Sequence, residues 1–307
     1  MIPPGSLIGV TGANGHLGRL FCMAAAAAGY RLRCFGRRFD HLPADAETVR
    51  LDLAEPVGVD PEPLRGCDAL VHLAAYIPRD HRSLEEGKLC WTTNVLGTAR
   101  LLHATAAAGV RRLVQTSSAS AYATDSGRTD EAAPLFPSSR AFYLGSKIGQ
   151  EAVAREICAE SGITCTTLRL SSVYGGAPPA GLPARLAQDL LAGRAITIRD
   201  QGRFGADFVF APDVVRVLLM MLEEDFAGEL NVASGVRTTL SDLAEGLVRA
   251  SGAPPGLVEL QPGAAAAADV GFPAIDIRRL RSMGVEPTAL RAGLEQVVHA
   301  LRLAILT

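Results

Sequence analysis

The sequence predicts a doubly wound α/β fold, a parallel sheet with helices on both faces, followed by a smaller C-terminal lobe. Three observations carry that expectation. Strand-like apolar runs alternate with helical patterns through the first 170 residues, the signature of βα units stacked into a parallel sheet. A glycine-rich turn, TGANGHLG (11–18), stands between the first strand and the first helix. The regular alternation stops near residue 175, where GGAPPAGLP opens a less regular stretch. The two parts are placed at 1–174 and 175–307, partly interleaved, with no clean linker between them.

Taken in order, LIGV (7–10) is the first strand and His16 to Ala28 the first helix. RLRCFG (31–36), TVRLDL (48–53) and DALVHLAA (68–75) are the next three strands. A long helix follows near 87–109, then the strand RRLVQTSS (111–118), a helix carrying YLGSK that runs to about Ser161, and the strand ITCTTLRL (163–170). The tract AAAAA (24–28) reads as the small-residue face of a helix packed on the sheet, and AAAAA (264–268) as a loop or helix start.

Composition narrows the function classes. With 307 residues, a net charge of −2 and a pI near 6.3, the chain has room for a large core and no basic surface for nucleic acid. The start, MIPPGSLIGVTG, has no basic leader and enters a strand directly, and neither alanine tract is long enough to cross a bilayer. No membrane partner is therefore expected. Six cysteines (22, 34, 67, 90, 158, 165) show no CxxC pair and no zinc-like spacing. Buried free thiols, a reducing cytoplasmic setting and no metal follow.

In the glycine-rich turn, Gly12 permits a tight bend, Gly15 lets a pyrophosphate approach the backbone, and Gly18 lets helix and strand pack closely. Asn14, His16 and Leu17 complete that cofactor-binding turn, and the helix N-terminus offers free N–H groups to phosphate. After the second strand the chain has Gly36-Arg37-Arg38 and no carboxylate until Asp40. Arginine there accommodates a 2′-phosphate, so Arg37 and Arg38 favour NADP(H), with NAD(H) the alternative. Asp52, with Leu53 beside it, is placed near the adenine, its competing role being a helix or turn cap.

YLGSK (143–147) puts Tyr143 and Lys147 four residues apart, on one face of a helix. A nearby ammonium favours the phenolate and lowers a tyrosine pKa from its usual value of about 10. Such a tyrosine can exchange a proton with an alcohol or ketone.

These motifs occur together with HLAA (72–75), Asn94 in TNVLGTA, VQTSSASAY (114–122), LRLSSVYG (168–175), ADFVFAPD (206–213), ELNVASG (229–235) and IDIRRLRSMGVEPT (275–288). Their order, over nearly the whole chain, resembles that of the extended short-chain dehydrogenases/reductases of the NAD-dependent epimerase/dehydratase family. The resemblance implies a Rossmann domain with a C-terminal substrate-binding lobe, a homodimer and a sugar or sugar-like small-molecule substrate. It also implies Tyr143 as acid/base, Lys147 as its partner and a bond to the nicotinamide ribose, and Ser118 as the group bonded to the reacting oxygen. Ser117 competes for that last role but faces the other side of a strand. Leu73, Ala74, Ala75, Asn94 and Val173 are implied to line the cofactor.

Departures limit the subclass. Ala119-Ser120-Ala121 after Ser118 holds no carboxylate, which argues against elimination. Where the family has an arginine for a nucleotide diphosphate, this chain has Ala206, and the alanine tract before Asp269 lacks the second. Ser172 replaces the usual asparagine. Arg203, Arg237, Arg79 and Arg82 are the candidate replacements. The expected activity is NAD(P)-dependent hydride transfer at a secondary alcohol or ketone, as an epimerase or a 4-ketoreductase. A ketoreductase of a non-nucleotide small molecule and a non-catalytic cofactor sensor are the alternatives.

Overall fold

The first strand, β1 (Leu7–Thr11), is buried at every position, as a central strand covered on both faces must be. It leads through the glycine turn into α1 (His16–Ala27), β2 (Arg31–Gly36) and β3 (Glu47–Arg50). β4 (Ala69–His72), α2 (Leu84–Cys90), a π-helical turn (Trp91–Gly97) and α3 (Thr98–Ala107) follow, then β5 (Arg112–Ser118), α4 (Ala141–Ser161) and β6 (Thr164–Leu170). The remaining chain forms β7 (Ser172–Tyr174), α5 (Gly181–Leu191), β8 (Ile196–Ile198), β9 (Gly205–Phe210), α6 (Ala211–Glu223), β10 (Gly228–Val232), β11 (Arg237–Thr239), α7 (Leu240–Ser251), β12 (Val258–Leu260), α8 (Arg278–Ser282) and α9 (Leu290–Leu306). This computed structural model describes residues 1–123, 126–263 and 271–306. The alanine tract 264–268 lies outside them.

Seven strands form one sheet in the order β10-β6-β5-β4-β1-β2-β3, and β5, β4, β1, β2 and β3 pair in parallel. The doubly wound sheet expected from the βα alternation is thus present. The order reverses between β1 and β4, whose carboxyl ends form the crevice where such sheets take ligands. The third and fourth strands are shorter than their apolar runs. Asp52 and Leu53 follow β3, and Leu73 to Ala75 follow β4. The long helix begins at Leu84 and contains the π turn, a feature with no signature in hydrophobic period. The small-residue face of α1 reduces to Ala25, buried with Gly18, Phe21 and Cys22.

The chain divides into two compact units: Met1–Gly127, Ala133–Arg169 and Val215–Leu230 in the first, Arg128–Ala132, Leu170–Val214 and Asn231–Thr307 in the second. The division falls earlier than residue 174, and the start of β10 counts with the first unit because β10 extends its sheet beside β6. In the second unit, β7, β9 and β11 form a small sheet and β8 pairs with β12. Its core brings Tyr174, Phe208 and Phe210 against Leu243, Leu247, Leu294 and Val297 from α7 and α9.

Two buried polar contacts pin the first unit. On β4, His72 is fully buried, its Nδ1 2.6 Å from Thr11 Oγ1 on β1 and its Nε2 2.9 Å from Thr98 Oγ1 on α3. Burial, and then the charge of Lys147, push its pKa down to about 3. Glu151 on α4 meets Arg169 on β6, which donates from Nη2 at 2.8 Å and Nε at 3.2 Å, while its Nη1 donates to Tyr122 Oη at 3.1 Å.

Both contacts have measurable consequences. Arg169→Met leaves the Glu151 carboxylate buried and unpaired, so unfolding in denaturant should show a loss of about 3–5 kcal/mol. His72 resists protonation in the fold but takes a proton below about pH 6.5 once unfolded. Stability should therefore fall as pH drops from 6.5 toward 3, and His72→Gln should flatten that fall by about 1.4 kcal/mol per pH unit. Equal acid slopes in the two proteins would remove His72 from this account.

Candidate active site

Gly12 has φ +72°, and a Cβ there would stand 2.5 Å from the backbone nitrogen of Ala74. A Cβ on Gly18 would collide with the carbonyl oxygen of Gly12. The two glycines therefore let β1, the start of α1 and the chain after β4 close on one another. Within the turn, Gly15 N donates to Gly12 O at 2.9 Å. The N-terminus of α1, from Gly15 through His16 and Leu17, has no side-chain cap. Asn14 Nδ2 donates to Asp40 at 3.1 Å, while its Oδ1 is buried without a partner among the described residues. These groups form an open cradle at the switch point, suited to a phosphate.

Beyond β2, Arg37 and Arg38 are exposed. Arg37 Nη1 lies 3.8 Å from Asp52 Oδ2, with 68% of its side chain in solvent. Asp52 also accepts the N–H of Ala54 through Oδ1 at 3.0 Å, so it does cap a turn while its other oxygen faces the arginine. Leu53 is buried, and its carbonyl accepts from Arg100 at 2.9 Å.

After β4, Leu73 N donates to Thr11 O at 3.1 Å and Ala74 N to Thr11 Oγ1 at 3.3 Å, with Ala75 following half-buried. Asn94 lies in the π turn, a distortion frequently used to aim a functional side chain. Its Oδ1 accepts Tyr76 N at 2.7 Å, and its Nδ2 donates to Tyr76 O at 3.0 Å and to Ser146 Oγ at 2.9 Å. Asn94 thus ties the loop after β4 to α4.

Tyr143 and Lys147 stand one turn apart on α4, which packs against β5 and the short turn Ala119–Ala121. Ser118 closes β5 half-buried, its Oγ accepting Ser120 N at 3.3 Å. Ser117 is buried, and its Oγ has no partner among the described residues. Burial pushes the Tyr143 phenol up to about 12, with Cys90 adding to the rise and Arg140 opposing it. This is opposite to the lowering expected from the Tyr-Lys spacing. Burial of the phenol sets that direction, and the Lys147 ammonium donates to Gln150 Oε1 at 2.6 Å. Burial pulls the Lys147 pKa down to about 8, against the opposing pull of Glu151. The ring of His81 lies 6.5 Å from that of Tyr143, centroid to centroid. Nothing in the residue pattern pointed to Gln150 or His81, because each acts through a contact set by the fold.

Val173 lies in the second unit, on β7, opposite Val209 of β9. Asp207 on β9 accepts from Ser171 Oγ, Ser234 N and Oγ, Gly235 N and Ile275 N at 2.7–3.2 Å. The neighbouring Ala206 is buried. Register pairs Arg237 with Asp207 and Thr238 with Ala206, which places Arg237 on the opposite face from Ala206. Its guanidinium sits where a Cβ on Gly205 would be, and Nη2 donates to Arg203 O at 3.4 Å. Arg203 Nε in turn donates to Asp200 O at 3.3 Å. Arg79 and Arg82 are exposed.

Among the described residues no cluster of metal-ligating side chains occurs, and no helix is long and apolar enough to cross a membrane.

The chain is 34% identical over 194 residues to UDP-glucose 4-epimerase of Mycolicibacterium smegmatis, a match covering 61% of this chain and 61% of that relative's own length. It is 27% identical over 322 residues to dTDP-4-dehydro-6-deoxy-D-allose reductase of Streptomyces bikiniensis, covering 97% of each. The structure of MoeE5 in complex with UDP-glucose and NAD superimposes with a TM-score of 0.84 at 28% identity, covering 98% of this chain and all of that one. The family model for the NAD dependent epimerase/dehydratase family matches residues 8–233. The chain belongs to that family, a group of enzymes built on a nicotinamide-binding domain.

Proposed function

We propose that this protein catalyses hydride transfer at a secondary alcohol or ketone of a sugar or sugar-like substrate, with Tyr143 as acid/base. The observation that carries the reading is the placement of Tyr143 and Lys147 on one face of α4, in the same unit as the glycine cradle. In this reading Gly12, Asn14, Gly15, His16, Leu17 and Gly18 hold the pyrophosphate, and Arg37, Arg38, Asp52 and Leu53 the adenosine end. Leu73, Ala74, Ala75 and Asn94 line the rest of the cofactor, and Lys147 bonds the nicotinamide ribose. When bound, the nicotinamide supplies or accepts the hydride. Ser118 and Tyr143 hold the substrate oxygen, and Tyr143 moves its proton. A phenol pushed up to about 12 keeps that proton at neutral pH, and a cation near it would favour its release.

The second unit is read as the substrate lobe. Relatives and neighbours named for UDP- and dTDP-sugars support a sugar. Ala206, and the turn of Arg237 to the opposite face, support one that lacks a full diphosphate, since a buried diphosphate needs charged partners. Exposed Arg37 and Arg38 support NADP(H) over NAD(H). Release of one oxidised or reduced cofactor per turnover identifies a reductase, and retention identifies an epimerase. A homodimer and a cytoplasmic setting complete the reading.

Tyr143→Phe should abolish turnover while leaving cofactor affinity within a few fold, and Ser118→Ala should lose about 10²–10³-fold in rate. A Phe variant retaining a tenth of wild-type activity would refute the assigned role. In calorimetry NADPH should bind more tightly than NADH, and UDP and dTDP should bind poorly. Micromolar UDP binding that Arg203→Ala or Arg237→Ala removes would restore an ordinary nucleotide-sugar enzyme.

A further inference from the structure

Lys147 is 2% exposed, and it is one of only two lysines in the chain, the other being Lys88. A buried ammonium needs acceptors, or it gives up its proton. The carboxylate on the same helix, Glu151, is occupied by Arg169, whose Nε and Nη2 reach both of its oxygens. The group that meets the ammonium is neutral: Gln150 Oε1, 2.6 Å away. Gln150 Nε2 then donates to Gln115 Oε1 at 3.0 Å, and Gln115 Nε2 to Thr167 Oγ1 at 3.0 Å. All four residues are buried. The chain has one polarity, from the ammonium on α4 through β5 to β6, and every amide turns its carbonyl toward the charge.

We propose that Gln150 is a positioning residue for Lys147: backed by Gln115 and Thr167, it keeps the buried ammonium charged and oriented. The inference rests on the reading of Lys147 as a cofactor-site group. A carboxylate in place of Gln150 would neutralise the cation that Tyr143 needs, and an apolar residue would leave it without an acceptor. The amide provides the acceptor and leaves the net charge in place. Of the other ionisable groups around Lys147, Glu151 also favours its charged form, but the oxygens of that carboxylate are taken by Arg169. His72 on β4 stays neutral beside the cation. Tyr143, one turn earlier on α4, keeps its proton.

Because the chain has two lysines, protein labelled with ¹³C at the lysine ε-carbons gives two signals, with exposed Lys88 as reference. Without an acceptor the charged form is disfavoured, so in Gln150→Met the Lys147 titration midpoint should fall from about 8 by at least about one pH unit, a tenfold change in protonation equilibrium. In Gln150→Glu it should rise. A midpoint that Gln150→Met leaves in place overturns the proposal. Should the Met variant fail to fold, a Glu variant whose midpoint does not rise overturns it equally. Cofactor affinity measured across pH separates this result from the functional reading. A joint downward move of the Lys147 midpoint and of the alkaline loss of cofactor binding supports both. A shifted midpoint with unchanged cofactor binding supports the role of Gln150 and removes Lys147 from the cofactor site.

Discussion

Lys147 carries a positive charge into a part of the first unit that water scarcely reaches, and much of the polar architecture there answers to that charge. Isolated, a buried cation would cost many kcal/mol and would shed its proton instead. Its pKa is indeed drawn down by burial, yet only to about 8, because the charge of Glu151 one turn further along α4 opposes the fall. Glu151 in turn is held by Arg169, so one buried ion pair lies behind the cation without cancelling it. His72 shows the reverse side of the same field. Enclosed between Thr11 and Thr98, it remains neutral partly because Lys147 is charged.

The second unit solves a comparable problem with one anion. Asp207 gathers donors from the start of β7, the turn after β10 and the segment leading to α8. Its carboxylate is therefore a structural centre of that lobe. The adjacent position, Ala206, contributes only apolar bulk. Along β9, Asp207 thus holds the backbone of the lobe while Ala206 packs into its core.

Much of this was legible in the residues. The glycine turn could be read because Gly12 and Gly18 are required by backbone approach, and β1 and β4 because buried parallel strands are continuous apolar runs. The strand ends were less legible. The apolar run after His72 continues through Ala75, yet β4 stops at His72, where Leu73 and Ala74 bond to Thr11 and Asn94 takes the backbone of Tyr76. The π turn, WTTNVLG, carries no residue that marks it as distinct from an ordinary helical turn. The Tyr143–Lys147 spacing was read correctly as one helix face, but the direction of the Tyr143 shift was not. It is set by burial of the phenol in the fold, which a residue spacing does not carry.

The glycine cradle also bears on how this chain can vary. At Gly87 an added methyl would meet the Phe142 ring at 2.7 Å, and at Gly293 the hydroxyl of Tyr174. Both obstacles are side chains, so a second substitution that trims the ring could relieve the first. At Gly12 and Gly18 the obstacles are main-chain atoms of Ala74, Ala13 and Gly12 itself. No change of side chain removes a carbonyl oxygen or an amide nitrogen. A genetic suppressor of a substitution at either position would therefore have to move a strand, and the two glycines are in effect beyond compensation by single residues.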